Sequence, residues 1–336
     1  MVDSAPSLVA CDQSAAWRGL SRKAATLETR KIGSLDASVV GLGTNNFGGR
    51  LDAQQTAGVV NTALDAGVTF IDTADVYGET KSEQFIGEAL KSRRDEAVLA
   101  TKFGVKIDDD HPGGASATYV RSATENSLRR LQTDWIDLLI LHRPDPATPL
   151  VETFEALAEL IAEGKVREVG CSNFSLAQLD EAEAAAAGSG ARFVNLQNQY
   201  SILQRSVEAE ILPACAARGI GFVPYSPLAR GLLTGKFRRN EEPPVGTRIA
   251  SMPSDRRKQE LSDDNFSAIE RLEAFAAVRG RSLLDLAFSW LLAKPGVASV
   301  IAGATSAEQI SANAAAGSWK LTEDEVQAVD ELAPAI

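Results

Sequence analysis

Residues 68–78 read VTFIDTADVYG, an apolar run of strand length that passes directly into Asp72 and, five residues later, Tyr77. Two further apolar runs end in the same manner, one close to Lys102 and one directly before His142. In a barrel of parallel strands, the carboxyl ends of all strands open at one mouth, where enzymes of this fold carry their catalytic groups. These four side chains are therefore expected to converge on one site.

Short apolar runs alternate with amphipathic segments along the chain, and this alternation predicts an α/β fold, the (β/α)8 TIM barrel. The predicted strands are Val39–Leu42, Val68–Asp72, Ala97–Thr101, Ile136–Leu141, Val166–Cys171, Phe193–Leu196, Gly221–Pro224 and Ser299–Ile301. The predicted barrel helices are Ala53–Ala66, Ser82–Lys91, Ala117–Leu131, Leu150–Glu163, Leu176–Ala187, Val207–Arg218, Phe266–Arg279 and Ala307–Ala316. Together they supply the eight βα units that a closed barrel needs.

Several segments fall outside these units. Residues 1–25 are expected to form an N-terminal extension, disordered in part or draped on the barrel, and residues 26–336 a single barrel domain. Leu283–Leu292 and Thr322–Leu332 are predicted as extra C-terminal helices. Ser226–Asn265 follows the seventh strand, contains several prolines, and is predicted as a long structureless loop over the barrel mouth.

Capping boxes, in which a hydroxyl residue and an acid or amide three positions later cap each other, mark several helix starts. They are predicted at Thr80-x-x-Glu83, Ser175-x-x-Gln178, Ser306-x-x-Gln309 and Thr322-x-x-Glu325. Pro213 is tolerated only near the start of a helix, so the boundary of the Val207–Arg218 helix stays open.

Composition excludes several classes of function. The chain of 336 residues has a net charge of −11, which argues against a nucleic-acid or anionic-membrane partner. No apolar run reaches transmembrane length, and the N-terminus lacks the pattern of a secretory signal. Cys11, Cys171 and Cys215 form no CxxC pair, which favours a reducing, cytoplasmic location. His111 lies in a polar turn and no metal-ligand spacing is present, so no metal site is expected.

The segments FIDTADVYG, TKF and LILHRPD match, in order, the Asp-Tyr-Lys-His tetrad of the aldo-keto reductase family, which the chain resembles from about Leu27 onward. Further matching segments are GLGTNNFGG (Gly41–Gly49), VGCSNFS (Val169–Ser175), NLQNQYS (Asn195–Ser201), PYSPLARGLLTGK (Pro224–Lys236) and IAGATSAEQISAN (Ile301–Asn313). The LHRPD pattern resembles the bacterial branch that is similar to the potassium-channel β-subunit and to sugar- or aldehyde-reducing members. The resemblance implies an NAD(P)-dependent oxidoreductase acting on an aldehyde, ketone or sugar.

Carbonyl reduction needs a hydride for carbon and a proton for oxygen, and the hydride must come from a nicotinamide because side chains cannot supply one. The resemblance makes Tyr77 the general acid and base. A neighbouring ammonium favours a phenolate, so Lys102 is expected to lower the pKa of Tyr77, with Asp72 holding Lys102 by an ion pair. His142 is expected to orient and polarise the carbonyl oxygen.

No Rossmann fingerprint is present, and the resemblance implies a cofactor that lies across the barrel mouth. The cofactor contacts that it implies are Gly43, Thr44, Asp72, Ser172, Asn173, Gln197, Tyr225, Ser226, Leu228, Arg230, Lys236, Arg248, Gly303, Thr305, Gln309 and Asn313. Tyr225 would stack on the nicotinamide, while Ser172, Asn173 and Gln197 would bind its carboxamide. Ala304–Ser306 lacks the Arg or Lys that often faces the 2′-phosphate in NADP-preferring relatives, so NADP(H) is favoured but NAD(H) stays possible.

The substrate pocket is expected to be lined by residues that follow strand ends, namely Phe47, Val76, Phe103, Arg143 and Phe174. The partner would be a small-molecule carbonyl or alcohol, while its identity, the reaction direction and the oligomeric state stay open. One alternative is a regulatory subunit that binds nicotinamide as a redox sensor with little turnover. A second is a Schiff-base aldolase with Lys102 as the nucleophile.

Overall fold

The computed structural model describes residues 27–333, so the predicted extension at residues 1–25 lies outside the described residues. The strands are β1 (Thr29–Ile32), β2 (Leu35–Ser38), β3 (Val40–Gly43), β4 (Phe70–Asp72), β5 (Val98–Phe103), β6 (Ile136–Leu141), β7 (Val166–Ser172), β8 (Phe193–Gln197), β9 (Gly221–Phe222) and β10 (Val300–Gly303). The α-helices are α1 (Ala53–Asp65), α2 (Lys81–Leu90), α3 (Ala117–Leu131), α4 (Leu150–Ala162), α5 (Leu176–Ala186), α6 (Ile211–Arg218), α7 (Ser254–Glu260), α8 (Asp263–Ala277), α9 (Leu283–Ala293), α10 (Ala307–Ala316) and α11 (Glu323–Leu332).

β3 to β10 form one parallel sheet of eight strands in the order β10-β3-β4-β5-β6-β7-β8-β9. The sheet closes where Phe222 of β9 bridges Val297, just before β10. The Phe222 N–H donates to the Gly296 carbonyl over 2.9 Å, and the Ala298 N–H donates to the Phe222 carbonyl over 2.8 Å. The predicted (β/α)8 barrel is therefore confirmed.

The two-residue period of a strand decides which side chains reach the barrel interior. On β5, Ala100 lies in the interior apolar cluster, whereas Leu99 and Phe103 belong to the cluster between sheet and helices. Lys102 shares the inward face of Ala100 and stands at the open end of the strand. The strand thus places the charged side chain of Lys102 at the open end of an otherwise apolar inward face.

An N-terminal hairpin of β1 and β2, absent from the predicted strands, closes the lower end of the barrel. Its buried side chains pack against the interior cluster and are Ile32, Leu35 and Ala37. Gly33 turns the hairpin with φ +58, and a Cβ there would approach Glu168 Oε1 to 2.6 Å. The Ser34 N–H donates to the same Glu168 oxygen over 2.7 Å, so glycine is required at the turn.

The loop predicted at Ser226–Asn265 is not structureless. It contains a 3₁₀ helix at Ala229–Thr234, the whole of α7, and the start of α8. The helix predicted from Val207 begins at Ile211, which places Pro213 in the first turn, where its missing N–H costs no helical hydrogen bond.

The predicted capping boxes at Ser175 and Thr322 are confirmed, while Ser306 caps its helix without the reciprocal bond, because Gln309 binds Thr305. The box predicted at Thr80 is wrong. Thr80 has φ 72 and its side chain makes no capping hydrogen bond. Glu83, the other half of that pattern, turns inward and is fully buried. No α-helix within residues 27–333 is long and apolar enough to cross a membrane.

Candidate active site

The strand ends bring Asp72 and Lys102 together at the barrel mouth. Asp72 ends β4, and its Oδ1 accepts from Lys102 Nζ over 2.5 Å, with both residues 2% exposed. Lys102 Nζ also donates to the Thr73 carbonyl over 2.8 Å. The two bonds fix the ammonium at one point of the interior, as expected for an ion pair between these residues.

Asp72 is itself held from two further sides. Gln197, at the end of β8, donates from Nε2 to Asp72 Oδ2 over 2.6 Å. Thr44, directly after β3, donates its hydroxyl to the Asp72 carbonyl over 2.9 Å. Both carboxylate oxygens and the carbonyl of Asp72 are therefore engaged in hydrogen bonds.

Tyr77 and His142 complete the group that the sequence predicts. The Tyr77 ring centroid lies 5.1 Å from Lys102 Nζ. The rings of Tyr77 and His142 meet edge to face, with centroids 5.9 Å apart and planes at 80°. His142 directly follows β6, and its N–H donates to the Phe103 carbonyl over 2.8 Å. All four residues thus surround one position above the barrel.

Burial raises the pKa of Tyr77 more than Lys102 lowers it, so the predicted effect of Lys102 is present but does not decide the net direction. Burial raises the pKa of Tyr77 above its usual value near 10, and Asp72 adds to this, while Lys102 and Arg248 lower it only in part. Burial alone would lower the pKa of Lys102, but Asp72 and Tyr77 raise it overall. Without a bound cofactor, Tyr77 therefore carries its proton at neutral pH and Lys102 is an ammonium.

His142 is neutral in this site. Burial, followed by the charges of Lys102 and Arg143, lowers the pKa of His142 to about 3. Its Nδ1 is buried and has no hydrogen-bond partner among the described residues. An uncharged imidazole can donate one N–H to a substrate oxygen but cannot serve as an imidazolium acid near pH 7.

The residues predicted for the carboxamide lie at neighbouring strand ends. Ser172, at the end of β7, donates its hydroxyl to the Gln197 carbonyl over 2.9 Å. Asn173 has φ +64 and donates from Nδ2 to the His142 carbonyl over 3.0 Å. The Tyr225 hydroxyl donates to Asn173 Oδ1 over 2.9 Å, which fixes the orientation of the Tyr225 ring.

Basic side chains from the long loop gather at the mouth. Burial, followed by Arg230, Arg50 and Arg256, lowers the pKa of Arg248, whereas Tyr77 raises it. Burial and Arg50 lower the pKa of Lys236 as well. Arg230 pairs with Glu260 of α7 over 2.5 Å, but no ion pair within residues 27–333 neutralises Arg248 or Lys236. In a chain of net charge −11, this local excess of positive charge suits a polyanionic ligand.

Four further predicted cofactor contacts lie between the end of β10 and the middle of α10, while Gly43 ends β3 and Ser226 and Leu228 lie just before the 3₁₀ helix. Gly303 ends β10 and is exposed. The Thr305 N–H donates to Gln309 Oε1 over 2.8 Å, and Ser306 caps the helix. Asn313 is 4% exposed, and its Nδ2 has no partner among the described residues. A buried amide donor without a partner is unusual in a protein interior and is consistent with a ligand contact.

Three of the predicted pocket residues are core residues instead. Phe47, Phe103 and Phe174 are at most 2% exposed and belong to the cluster between sheet and helices. Phe103 follows the inward-facing Lys102 on the same strand and must therefore point outward. Val76 is partly exposed and Arg143 is exposed, so these two keep surface that a substrate could contact.

Two contributors to the site escape sequence reasoning. Thr73 acts through its backbone carbonyl, for which no side-chain signal exists. Ser82 lies within hydrogen-bond distance of the hydroxyls of Thr73, at 2.9 Å, and Thr44, at 3.1 Å.

Asp75, in the middle of the motif at residues 68–78, is buried, and neither of its carboxylate oxygens has a hydrogen-bond partner among the described residues. Within residues 27–333, no group of three or more His, Cys, Asp or Glu residues is placed to hold a metal ion.

Residues 39–334 match the family model of the aldo/keto reductase family. Aldo-keto reductase YhdN of Bacillus subtilis is 34% identical over 309 residues, which cover 89% of this chain and 90% of that protein. A probable voltage-gated potassium channel subunit beta of Oryza sativa is 33% identical over 277 residues, covering 80% and 83%. The crystal structure of an aldo/keto reductase from Klebsiella pneumoniae, in complex with NADP and acetate, matches with a TM-score of 0.75 at 30% identity, covering 93% of this chain and 97% of that chain.

Proposed function

The chain belongs to the aldo/keto reductase family, and we propose that it uses NAD(P)H to reduce an aldehyde, ketone or sugar carbonyl, or catalyses the reverse reaction. The observation that carries the proposal is the convergence of Tyr77, Lys102 and His142 on one position. Lys102 lies 5.1 Å from the Tyr77 ring centroid, and the Tyr77 and His142 rings meet at 5.9 Å. A carbonyl oxygen at that position would meet a proton donor, a hydrogen-bond donor and a positive charge.

The pKa values of Tyr77 and His142 favour different roles for the two side chains. Tyr77, whose pKa is raised, carries a proton at neutral pH and can give it to the carbonyl oxygen. His142, with a pKa of about 3, stays neutral and is suited to orienting that oxygen through its N–H. As Tyr77 loses its proton, the Lys102 ammonium, held by Asp72, stabilises the developing phenolate.

The residues at the mouth fit a nicotinamide dinucleotide. Arg248 and Lys236 supply positive charge for a pyrophosphate, and Asn313 offers a free amide donor at α10. Tyr225 presents an aromatic ring fixed by Asn173. When bound, the cofactor would supply the hydride, which no side chain can provide.

NADP(H) is the favoured cofactor. The Klebsiella relative was crystallised with NADP, which supports this preference. Thr305 and Ser306 carry hydroxyls at the start of α10, where backbone N–H groups and the helix dipole favour a phosphate. Because neither is a basic residue, NAD(H) stays possible.

The regulatory alternative has one specific observation in its favour, the similarity to the rice protein named as a probable channel subunit. That function would also need the cofactor site, so only turnover separates the two proposals. The aldolase alternative needs a neutral Lys102 amine, and the ion pair with Asp72 opposes this.

The proposal is tested by titrating the purified protein with NADPH and NADH and then adding a panel of aldehydes, ketones and aldoses. Saturable binding of NADPH followed by carbonyl-dependent oxidation supports the reductase. Tight binding without turnover on the whole panel would favour the regulatory alternative. Failure to bind either dinucleotide would contradict both.

A further inference from the structure

Asp75 is a buried acid that the proposed reaction does not use. It lies in the turn between Asp72 and Tyr77 and is 1% exposed. Neither of its carboxylate oxygens has a hydrogen-bond partner among the described residues. A buried carboxylate without partners is costly, whereas the protonated, uncharged form is tolerated far better.

The neighbours of Asp75 add to this preference. Glu83 of α2 is fully buried, and its two oxygens accept from the Thr101 hydroxyl over 2.5 Å and from Arg130 Nε over 2.6 Å. The charge of Arg130 on α3 is therefore already matched by Glu83. A second anion at Asp75 would face Glu83, while the nearby cations Arg130 and Lys102 are already paired with Glu83 and Asp72.

The charged and titratable groups around Asp75 come from three elements, namely Glu83 on α2, Arg130 and Tyr119 on α3, and Lys102 on β5. Burial and Glu83 raise the pKa of Asp75 to about 7, although Arg130, the backbone N–H of Val76 and Lys102 oppose them. The balance places the protonation change of Asp75 near neutral pH.

The same turn carries Tyr77 and is fastened to Lys102 twice. The Asp75 N–H donates to the Lys102 carbonyl over 3.0 Å, and Lys102 Nζ donates to the Thr73 carbonyl over 2.8 Å. Inside the turn, the Tyr77 N–H donates to the Ala74 carbonyl over 3.2 Å. Any displacement of this turn would therefore change the position of Tyr77 relative to Lys102.

We propose that Asp75 is a positioning residue for the reaction proposed above: uncharged, it is accommodated in the interior and leaves Tyr77 in place beside Lys102, and ionised, it displaces the turn by repulsion from Glu83. The inference rests on the proposed reductase function. Reduction then falls with rising pH well before Tyr77 itself loses its proton, because burial keeps the pKa of Tyr77 above its usual value.

The test compares the pH profile of kcat for the parent protein and Asp75→Asn, with NADPH and 4-nitrobenzaldehyde as probes. The amide cannot ionise, so the ratio of kcat at about pH 6 to kcat at about pH 8.5 is expected to be about tenfold smaller in the variant. Asp36→Asn is the matched control, because Asp36 is 64% exposed on the hairpin at the opposite end of the barrel. A profile of Asp75→Asn that coincides with that of the parent would overturn the proposal.

A second measurement does not depend on turnover. Difference infrared spectra between acidic and alkaline pH are expected to contain the carbonyl stretch of a protonated carboxyl group, lost on raising the pH and absent in Asp75→Asn. If the band is unchanged in the variant, Asp75 is not the group that titrates and the proposal fails. If the band behaves as expected but NADPH drives no reduction, the reductase function fails while the titration of Asp75 stands.

Discussion

Lys102 Nζ lies 2.5 Å from Asp72 Oδ1 in a position where both residues are 2% exposed. An ion pair so deeply buried adds little net stability, but removing one partner leaves the other charge unpaired. Its value here is geometric, because Gln197 and Thr73 bind the same two side chains and leave the ammonium a single position. The effect of this pair on stability is therefore distinct from its effect on Tyr77.

Lys102→Met is expected to lower the free energy of unfolding by about 3 kcal/mol, because Asp72 keeps a buried charge without its cation. Turnover is expected to fall by about a hundredfold or more, because the Tyr77 phenolate loses the charge that stabilises it. The measurement is urea unfolding of each variant together with NADPH oxidation. The double variant with Asp72→Asn should regain most of the stability and none of the turnover. Recovery of turnover along with stability would mean that Lys102 has only a structural role.

The barrel and the meeting of Asp72, Lys102 and His142 at its mouth follow from the sequence because each of these residues stands at or close to the end of an apolar run, and strand ends share one mouth. Tyr77 lies five residues past Asp72, in the loop that follows the strand. The hairpin of β1 and β2 did not follow, because strands of four residues carry too short an alternating pattern. The error at Phe103 has another origin. Lys102 faces inward, so the next residue must face outward, and the strand period alone excludes Phe103 from the pocket.

Asp75 and Glu83 illustrate a different limit of sequence reasoning. Thr80-x-x-Glu83 has the pattern of a capping box, yet Glu83 accepts from Thr101 and Arg130 in the interior. A capping box expresses only the local preference of one helix end. Here the two tertiary hydrogen bonds of Glu83 are more favourable than that local preference. The burial of Asp75 likewise depends on the packing of α2 and α3 against β5.

His142 is expected to make the free energy of unfolding of the protein decrease as the pH falls. Because its pKa is about 3 when folded and about 6.5 when unfolded, the unfolded state binds the extra proton first as the pH falls. Stability from this residue is complete above about pH 6.5 and is lost progressively towards pH 3. Relative to the parent, His142→Gln is expected to gain about 2 kcal/mol in free energy of unfolding between pH 7.5 and pH 5. Urea unfolding of both proteins at the two pH values measures this. If the variant differs from the parent by the same free energy of unfolding at both pH values, His142 is protonated in the folded state at the lower pH.

Arg248 is expected to bind the pyrophosphate end of the cofactor, because its charge acts on Tyr77 and it lies on the long loop over the mouth. Arg248→Ala should raise the Kd of both NADPH and NADH by about tenfold, since each dinucleotide carries the pyrophosphate. Calorimetric titration measures both constants. Arg238→Ala, a change on the same loop at a residue 51% exposed and paired with Glu273, is the control and should leave both unchanged. A loss confined to NADPH would assign Arg248 to the 2′-phosphate instead.

The central claim is that Tyr77 gives the proton to the carbonyl oxygen, and replacing its hydroxyl tests this most directly. The measurement is the rate of carbonyl reduction by Tyr77→Phe at saturating NADPH, together with the Kd for NADPH of the same variant. We expect kcat to fall by about 10² to 10⁴-fold, which is the contribution of a positioned general acid, and the Kd for NADPH to stay nearly unchanged. Turnover close to that of the parent would contradict it and would require another proton donor at the barrel mouth.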